Sequence, residues 1–216
     1  YELKNAIRQA EFGDGTSLYD AVDDVIRRRL SGIQGRKAVV LFTDGVDTTS
    51  SRATIESTTA AAEELDALFY PIRFDTSTDV SGGGTGMPGP PRQNRRVTMG
   101  DILGAILTGG NVQVGSGSPG GGTRAEYERG RQYLLTLAQK TGGREFEADS
   151  IYNLQAAFTG IAEELRRQYT LGYYPDKVGT MGERRQIKIR VNRPNVVVRA
   201  KTSYIVGDSR RTLAGI

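Results

Sequence analysis

Up to residue 168, apolar residues recur at helical spacing, and short uninterrupted apolar runs separate these stretches. The apolar runs predict strands over 37–43 and 68–74, and a further short strand is predicted over 144–148. Because helices and strands alternate, we expect an α/β domain with parallel strands and right-handed crossovers. The predicted helices span residues 1–12, Thr16 or Ser17 to about Leu30, 52–67, 124–140, and 151–168 behind a Ser150 cap.

The most informative apolar run is Ala38 to Phe42, which Thr43, Asp44 and Gly45 follow at once. Five apolar residues bounded by turn residues predict a strand that is buried on both faces. Ligands of open α/β sheets bind just beyond the carboxyl ends of such strands, so Asp44 is a candidate ligand for a hard cation. A simple turn with Gly45 is the alternative role for Asp44.

The stretch from 77 to 123 differs in composition, because clusters of Gly, Pro and Ser make it linker-like. Residues 97–107 within it predict one short helix. The stretch leaves the carboxyl end of strand 68–74, which is the same end as Asp44. We expect a solvated excursion, and the alternative is a loop that lies over Asp44. Within the strand, Pro71 favours an edge position or a bulge.

Beyond Gln168 the spacing of apolar residues changes from helical to alternating. The new period predicts a three-stranded antiparallel meander over 169–206 with one polar face, followed by a tail over 207–216. Residues 183–211 hold nine Lys and Arg against two acidic residues, whereas the whole chain has a net charge of +4. Such a basic segment is suited to nucleic acid or to anionic lipid. Because these charges alternate with Ile and Val without interleaved aromatic residues, we predict no nucleic-acid binding.

Composition excludes several kinds of chemistry. The 216 residues include no Cys and no His, which excludes disulfides, thiolate chemistry and Ser-His-Asp catalysis. No apolar run approaches the roughly 18–20 residues that a membrane span needs. Because a paired catalytic carboxylate motif is also absent from the sequence, we predict a protein that is not an enzyme and has no membrane span in this chain.

Three motifs carry a family resemblance: Gly13 to Ala21 (GDGTSLYDA), Val39 to Gly45 (VVLFTDG) and Arg167 to Pro175 (RQYTLGYYP). In this order they resemble the von Willebrand factor type A (VWA) domain, in the bacterial VWFA-related branch common in acidobacteria. The resemblance implies a Rossmann-like three-layer sandwich over 1–168, interrupted by the linker-like stretch. It also implies truncation at the N-terminus, because the family's first strands would precede this chain and their absence would leave the Asp44 strand as an exposed edge.

The VWA family has a metal-ion-dependent adhesion site on the top face of its sheet. By matching, the resemblance makes Thr16 a direct metal ligand and Asp44 a ligand that acts through water, with Mg²⁺ or Ca²⁺ as the cofactor. Capping of the following helix is the alternative role for Thr16. The family's Asp-x-Ser-x-Ser loop is missing, and its nearest imitations, Asp47 to Ser50 and Asp75 to Thr78, follow later strands. Since these cations take six or more oxygen ligands, we expect weak or absent metal binding by this chain.

The resemblance implies a divalent-metal-dependent module for protein–protein interaction and adhesion, in which a partner protein supplies a carboxylate to the metal. It also implies a bacterial extracytoplasmic location, in the secreted fraction, the periplasm or the outer envelope. The first alternative is a structural envelope protein with a vestigial metal site. The second is an enzyme-associated domain, which the absence of His and Cys makes the weaker hypothesis. The partner and the oligomeric state stay open at this point.

Overall fold

The computed structural model describes residues 15–74, 123–148 and 151–207, together with the isolated residues 2, 5 and 9. Several predictions therefore lie outside the described residues. These are most of the helix over 1–12, the stretch from 77 to 122 with its short helix, the Ser150 cap and the tail beyond residue 207.

Helices and strands alternate through the described part of the chain as the sequence predicts. The elements, in chain order, are α1 (Leu18–Asp24), which continues as a π-helical segment (Val25–Leu30), β1 (Ala38–Thr43), α2 (Ile55–Glu64), β2 (Leu68–Arg73), α3 (Arg124–Thr141), β3 (Phe146–Glu147), α4 (Ile151–Arg166), β4 (Arg184–Gln186) and β5 (Ser203–Ile205).

The first three strands form one parallel sheet in the order β1-β2-β3, and β4 and β5 form a small antiparallel sheet. In the parallel sheet Ala38 pairs with Leu68 and Ile72 pairs with Phe146. Side chains from α1 and α3 pack on one face around Phe69, and side chains from α4 pack on the other face around Ile72. The fold is thus mixed α/β, with helices on both faces of a parallel sheet.

Strand β1 lies at one edge of this described sheet, although its sequence predicts burial on both faces. Val39 and Leu41 pack against the α1 and α3 side. On the other face Phe42 packs with the α4 cluster, but Val40 is 42% exposed. The apolar run therefore buries one face of β1 well and the other only at its carboxyl end.

Pro71 is buried in the central strand β2, so the predicted edge position is wrong. Residues 68 and 74 of this strand donate their N–H groups to the β1 side, and Phe69 donates to Thr141 Oγ1 on the opposite side. Pro71 shares the orientation of Phe69, and the β3 ladder begins only at Ile72. The missing N–H of Pro71 therefore breaks no β1–β2 hydrogen bond.

The predicted three-stranded meander is wrong in its first strand, and its other two strands are reduced to three residues each. Residues 169–174 form no strand, and only β4 and β5 pair, with Gln186 opposite Ser203. Gly172 and Pro175 weaken strand formation in the first segment, and the Tyr174 side chain is fully exposed. The antiparallel unit of this region is therefore one hairpin.

Candidate functional site

The candidate site lies at the carboxyl end of β1, where the segment before α1 meets the loop that follows the strand. The Thr16 N–H donates to Thr48 Oγ1 at 2.7 Å, and the Thr16 carbonyl accepts from the N–H groups of Thr48 and Thr49 at 2.8 and 3.2 Å. Gly15 adopts φ +91°, and a Cβ there would lie 2.6 Å from Thr49 Cγ2. Glycine therefore allows the two segments to approach this closely.

The N-terminus of α1 is capped from outside its own sequence neighbourhood. Ser17 occupies the N-cap position without a side-chain capping bond, and its hydroxyl instead pairs with that of Thr49 at 2.7 Å. The N–H of Tyr19 donates to Asp47 Oδ1 at 3.1 Å, and that of Asp20 donates to Ser50 Oγ at 3.0 Å. Ser17 thus occupies the N-cap position, as one of the two predicted candidates, but neither its side chain nor that of Thr16 caps the helix, because the loop supplies both acceptors.

Asp20 fixes the far end of the same loop. Its buried carboxylate accepts hydrogen bonds from the N–H groups of Ser51, Arg52 and Ala53 at 3.2, 3.0 and 2.8 Å. The backbone hydrogen bonds from Ala53 and Ser51 hold the pKa of Asp20 below its ordinary value, against the opposing effect of burial. Helix α1 and the loop after β1 are thus joined in both directions, with each one supplying acceptors to the other.

Asp44 begins the loop and is half-buried. Its Oδ1 accepts from the Val46 N–H at 3.0 Å, which is the side-chain turn that the Asp-Gly sequence predicts. Gly45 has φ +88° and packs against α3 at Gly130, where a Cβ would lie 2.2 Å from the Gly45 carbonyl oxygen. Two glycines therefore permit the contact between α3 and this loop, and the contact fixes where Asp44 sits.

The structure places Thr16 and Asp44 on two segments that are hydrogen-bonded to each other at one end of the sheet. We call this region, formed by residues 15–20 and 44–53, the corner. The oxygen atoms of its hydroxyl and carboxylate groups are suitable ligands for a hard cation. However, the described part of the chain gathers no group of three or more Asp and Glu side chains that would hold a metal. Residues Asp47 and Asp20 are engaged by the backbone, so the protein would supply only part of a metal's coordination shell.

A second charged group lies at the carboxyl ends of β2 and β3. Arg73, which pairs in register with Thr43, lies 2.8 Å from Glu147 and 3.6 Å from Glu145. Arg131 of α3 lies 3.8 Å from Glu147. Burial raises the pKa of Glu145, and the charge of Arg73 opposes that rise. This group balances two cations with two carboxylates beside the candidate site.

The sequence does not predict that Asp47, Ser50 and Asp20 hold α1 and the loop after β1 together by hydrogen bonds. The only hint in the sequence is the run Asp47 to Ser50, in which every side chain carries an oxygen. Their partners lie 28 to 33 residues away, so no local pattern could identify the pairing.

Comparison of the chain with family models, with curated proteins and with solved structures finds no match. None of the helices in the described residues is long and apolar enough to cross a membrane.

Proposed function

We propose that the protein is a non-catalytic interaction module in which a divalent cation, held at the carboxyl end of β1, binds a carboxylate of a partner protein. The observation that supports this most directly is the bonding of Thr16 to Thr48 and Thr49. It fixes a hydroxyl-bearing segment beside the loop that begins at Asp44. A site of this kind needs oxygen ligands on a rigid support, and the corner has both.

The proposed mechanism is recognition without any bond being made or broken. Thr16 and Asp44 hold Mg²⁺ or Ca²⁺ weakly, because hydroxyl and carboxylate oxygens from two residues leave most coordination positions to water. A partner carboxylate then displaces water and completes the shell. The affinity for the partner is therefore metal-dependent and selective for acidic side chains.

The proposal also includes a family for the fold and a location for the protein. Helices on both faces of a parallel sheet, with the candidate site at the carboxyl ends of the strands, agree with a Rossmann-like VWA sandwich. We propose membership of the bacterial VWFA-related branch and an extracytoplasmic location on the sequence motifs alone.

The decisive experiment measures how Mg²⁺ changes binding of the chain to immobilised polyglutamate. Screening by a divalent salt weakens a purely electrostatic contact, whereas a metal bridge strengthens it. We expect Mg²⁺ to increase the binding, EDTA to abolish that increase, and Asp44→Asn to remove it. Asp176→Asn is the matched control, because this exposed aspartate lies outside the corner and its loss should leave the Mg²⁺ effect intact.

Three outcomes would reject the proposal. Binding that only decreases with Mg²⁺ would show that no bridge forms, and a calorimetric titration without heat from Mg²⁺ or Ca²⁺ would agree with the alternative of a structural protein whose metal site is vestigial. A Mg²⁺ effect that survives Asp44→Asn would place the cation elsewhere.

A further inference from the structure

The hairpin formed by residues 184–205 has a defined register and turn. Gln186 pairs with Ser203, and the Ile187 N–H donates to the Thr202 carbonyl at 2.8 Å. Residues 187–202 are not in a strand, but a turn lies at Pro194 and Asn195, where the register of the paired ends would also place it. Asn195 has φ 59°, as the second central residue of a type II turn requires, and Pro suits the first. The hairpin therefore ends in a tight tip at these two residues.

The polar face of the hairpin is turned toward the α/β body. Arg184 lies 3.0 Å from the Glu63 carboxylate, and the Ser203 hydroxyl also donates to Glu63. Lys201 donates to the backbone carbonyls of Glu63 and Leu65 at 3.0 and 2.6 Å. In the register these three hairpin residues share one face, so charge rather than apolar contact attaches the hairpin to the body.

Apolar side chains of the hairpin consequently remain exposed, and they concentrate near its tip. The four valines within three residues of the turn are between 42% and 75% exposed. They are Val191, Val196, Val197 and Val198. Because Val196, Val197 and Val198 are consecutive, they cannot all lie on one face, so exposed aliphatic side chains stand on both faces of the tip. Such a group of exposed aliphatic side chains is typical of an interaction site.

Cations without counter-charges surround this aliphatic tip. Lys188, Arg190 and Arg193 are exposed, and none of them forms an ion pair within the described residues. The sequence has no acidic residue between Glu183 and Asp208. The positive charge of this segment is therefore uncompensated, and charge complementarity favours an anionic partner.

We propose that the hairpin tip docks onto an anionic lipid surface, with the valines entering the acyl boundary and Lys188, Arg190 and Arg193 meeting the lipid phosphates. The exposed apolar side chains at the tip are aliphatic, and no aromatic ring among them offers a stacking platform for nucleobases. They also lack the aromatic anchors that dominate protein interfaces. Lipid accepts aliphatic side chains without directional bonds, and long cationic side chains reach the headgroups.

The test measures co-sedimentation of the chain with vesicles of phosphatidylcholine containing about one third phosphatidylglycerol, in EDTA and at low ionic strength. Pure phosphatidylcholine vesicles serve as the neutral reference. We expect binding to the anionic vesicles only. Replacing all three cations (K188Q/R190Q/R193Q) should weaken it about a hundredfold, at about fivefold for each cation. The variant V196S/V197S should weaken it about tenfold, because aliphatic burial is lost.

Matched controls separate the tip from net charge and general hydrophobicity. The variant R29Q/R124Q/R129Q removes three exposed cations from the π-helical segment and α3, and Ile33→Ser removes an exposed aliphatic side chain from the body. Both should bind the vesicles like the wild type. An equal loss of vesicle binding in the tip and control variants would overturn the proposal. Binding to polyglutamate in EDTA without binding to vesicles would also overturn it, because that result would indicate an acidic protein partner. Since EDTA is present throughout, failure of the metal site leaves this result unchanged.

Discussion

The corner at the carboxyl end of β1 and the attachment of the hairpin both depend on buried carboxylates, but the carboxylates bond to different partners. At the corner, Asp20 accepts three backbone N–H groups from the loop after β1. At the hairpin, Glu63 is 1% exposed and accepts from Lys140 at 3.1 Å, Arg184 at 3.0 Å and the Ser203 hydroxyl. The first arrangement shapes a loop, and the second joins three elements that are distant in sequence.

This difference bears on what each region can do. Backbone N–H donors are neutral and fixed, and they supply the three hydrogen bonds to Asp20, to which the exposed Arg52 side chain adds only an ion pair at 3.6 Å. The Glu63 arrangement uses charged donors from α3 and the hairpin, and its loss would weaken the attachment of the hairpin, which Lys201 also holds through backbone carbonyls. A carboxylate that is buried with cationic partners contributes most when all partners are present, because removing one leaves charges uncompensated.

The largest expected effect comes from Glu63→Gln. The amide keeps the shape of the side chain but leaves Lys140 and Arg184 without their shared counter-charge, so we expect a loss of about 3 kcal/mol in the free energy of unfolding. Urea denaturation measures it. The neighbouring Glu64 is exposed, and Glu64→Gln should change stability by less than about 0.5 kcal/mol. A loss below about 1 kcal/mol for Glu63→Gln would show that the cluster does not hold the hairpin.

The same cluster predicts a pH dependence with a definite sign. Burial alone would raise the pKa of Glu63, but the hydrogen bonds from Ser203 and Lys140 and the nearby cationic charges outweigh it and lower the pKa. The folded state therefore binds this proton less tightly than the unfolded state. Its stabilisation is complete above the unfolded pKa of about 4.3 and is lost as pH falls through the lower folded value.

Urea denaturation of wild type and Glu63→Gln at several pH values tests this sign. The difference in unfolding free energy between them should be largest near neutrality and shrink below about pH 4. Glu145, whose pKa burial raises, contributes with the opposite sign, but it is present in both proteins and cancels in the difference. A difference that grows on acidification would contradict the assignment.

The next effect concerns the contact that positions the corner. Alanine at Gly130 would bring its Cβ to 2.2 Å from the Gly45 carbonyl oxygen, and backbone lies on both sides of the contact. We expect Gly130→Ala to lower the free energy of unfolding by about 2 kcal/mol, despite the better helix propensity of alanine. Thermal denaturation together with the Mg²⁺ response of polyglutamate binding would show whether the loop of Asp44 moves with α3.

Gly160 in α4 supplies the control for this prediction. A Cβ there meets the Phe146 ring at 3.1 Å, and a ring is a side chain that can shift. Gly160→Ala should therefore stay within about 1 kcal/mol of the wild type. Equal effects of the two alanines would mean that the Gly45–Gly130 contact is not tight.

Features that depend on nearby residues could be predicted from the sequence, and features that depend on distant ones could not. The start and end of α3 follow from local chemistry, because Thr123 and Glu126 form a capping box and Gly142 adopts a left-handed conformation. The alternation of helices and strands likewise follows from periodicity. Nothing local distinguishes the buried Glu63 from the exposed Glu64, since its partners lie up to 140 residues away.

The hairpin illustrates the same limit. Its alternating pattern predicts one polar and one apolar face, and the natural expectation is that the apolar face packs inward. The position of Glu63 reverses this, because the charged face of the hairpin meets the body and the valines near the tip stay exposed. For the candidate site, the sequence pointed to Thr16 and Asp44, but the hydrogen bonds that fix their segments depend on tertiary pairing.

The smallest and most local effect is expected at the corner itself. In Asp20→Asn the side-chain amide group points an N–H toward backbone donors that need acceptors, so the hydrogen bonds from Ser51, Arg52 and Ala53 cannot all be kept. We expect these three amides to exchange with solvent about tenfold faster, while exchange at the hairpin is unchanged. Asp24→Asn on the same helix loses only an exposed pair with Arg28 and should leave the loop protected. Faster exchange in both regions would mean that the corner and the hairpin unfold as one unit, and that the two carboxylate clusters are coupled rather than independent.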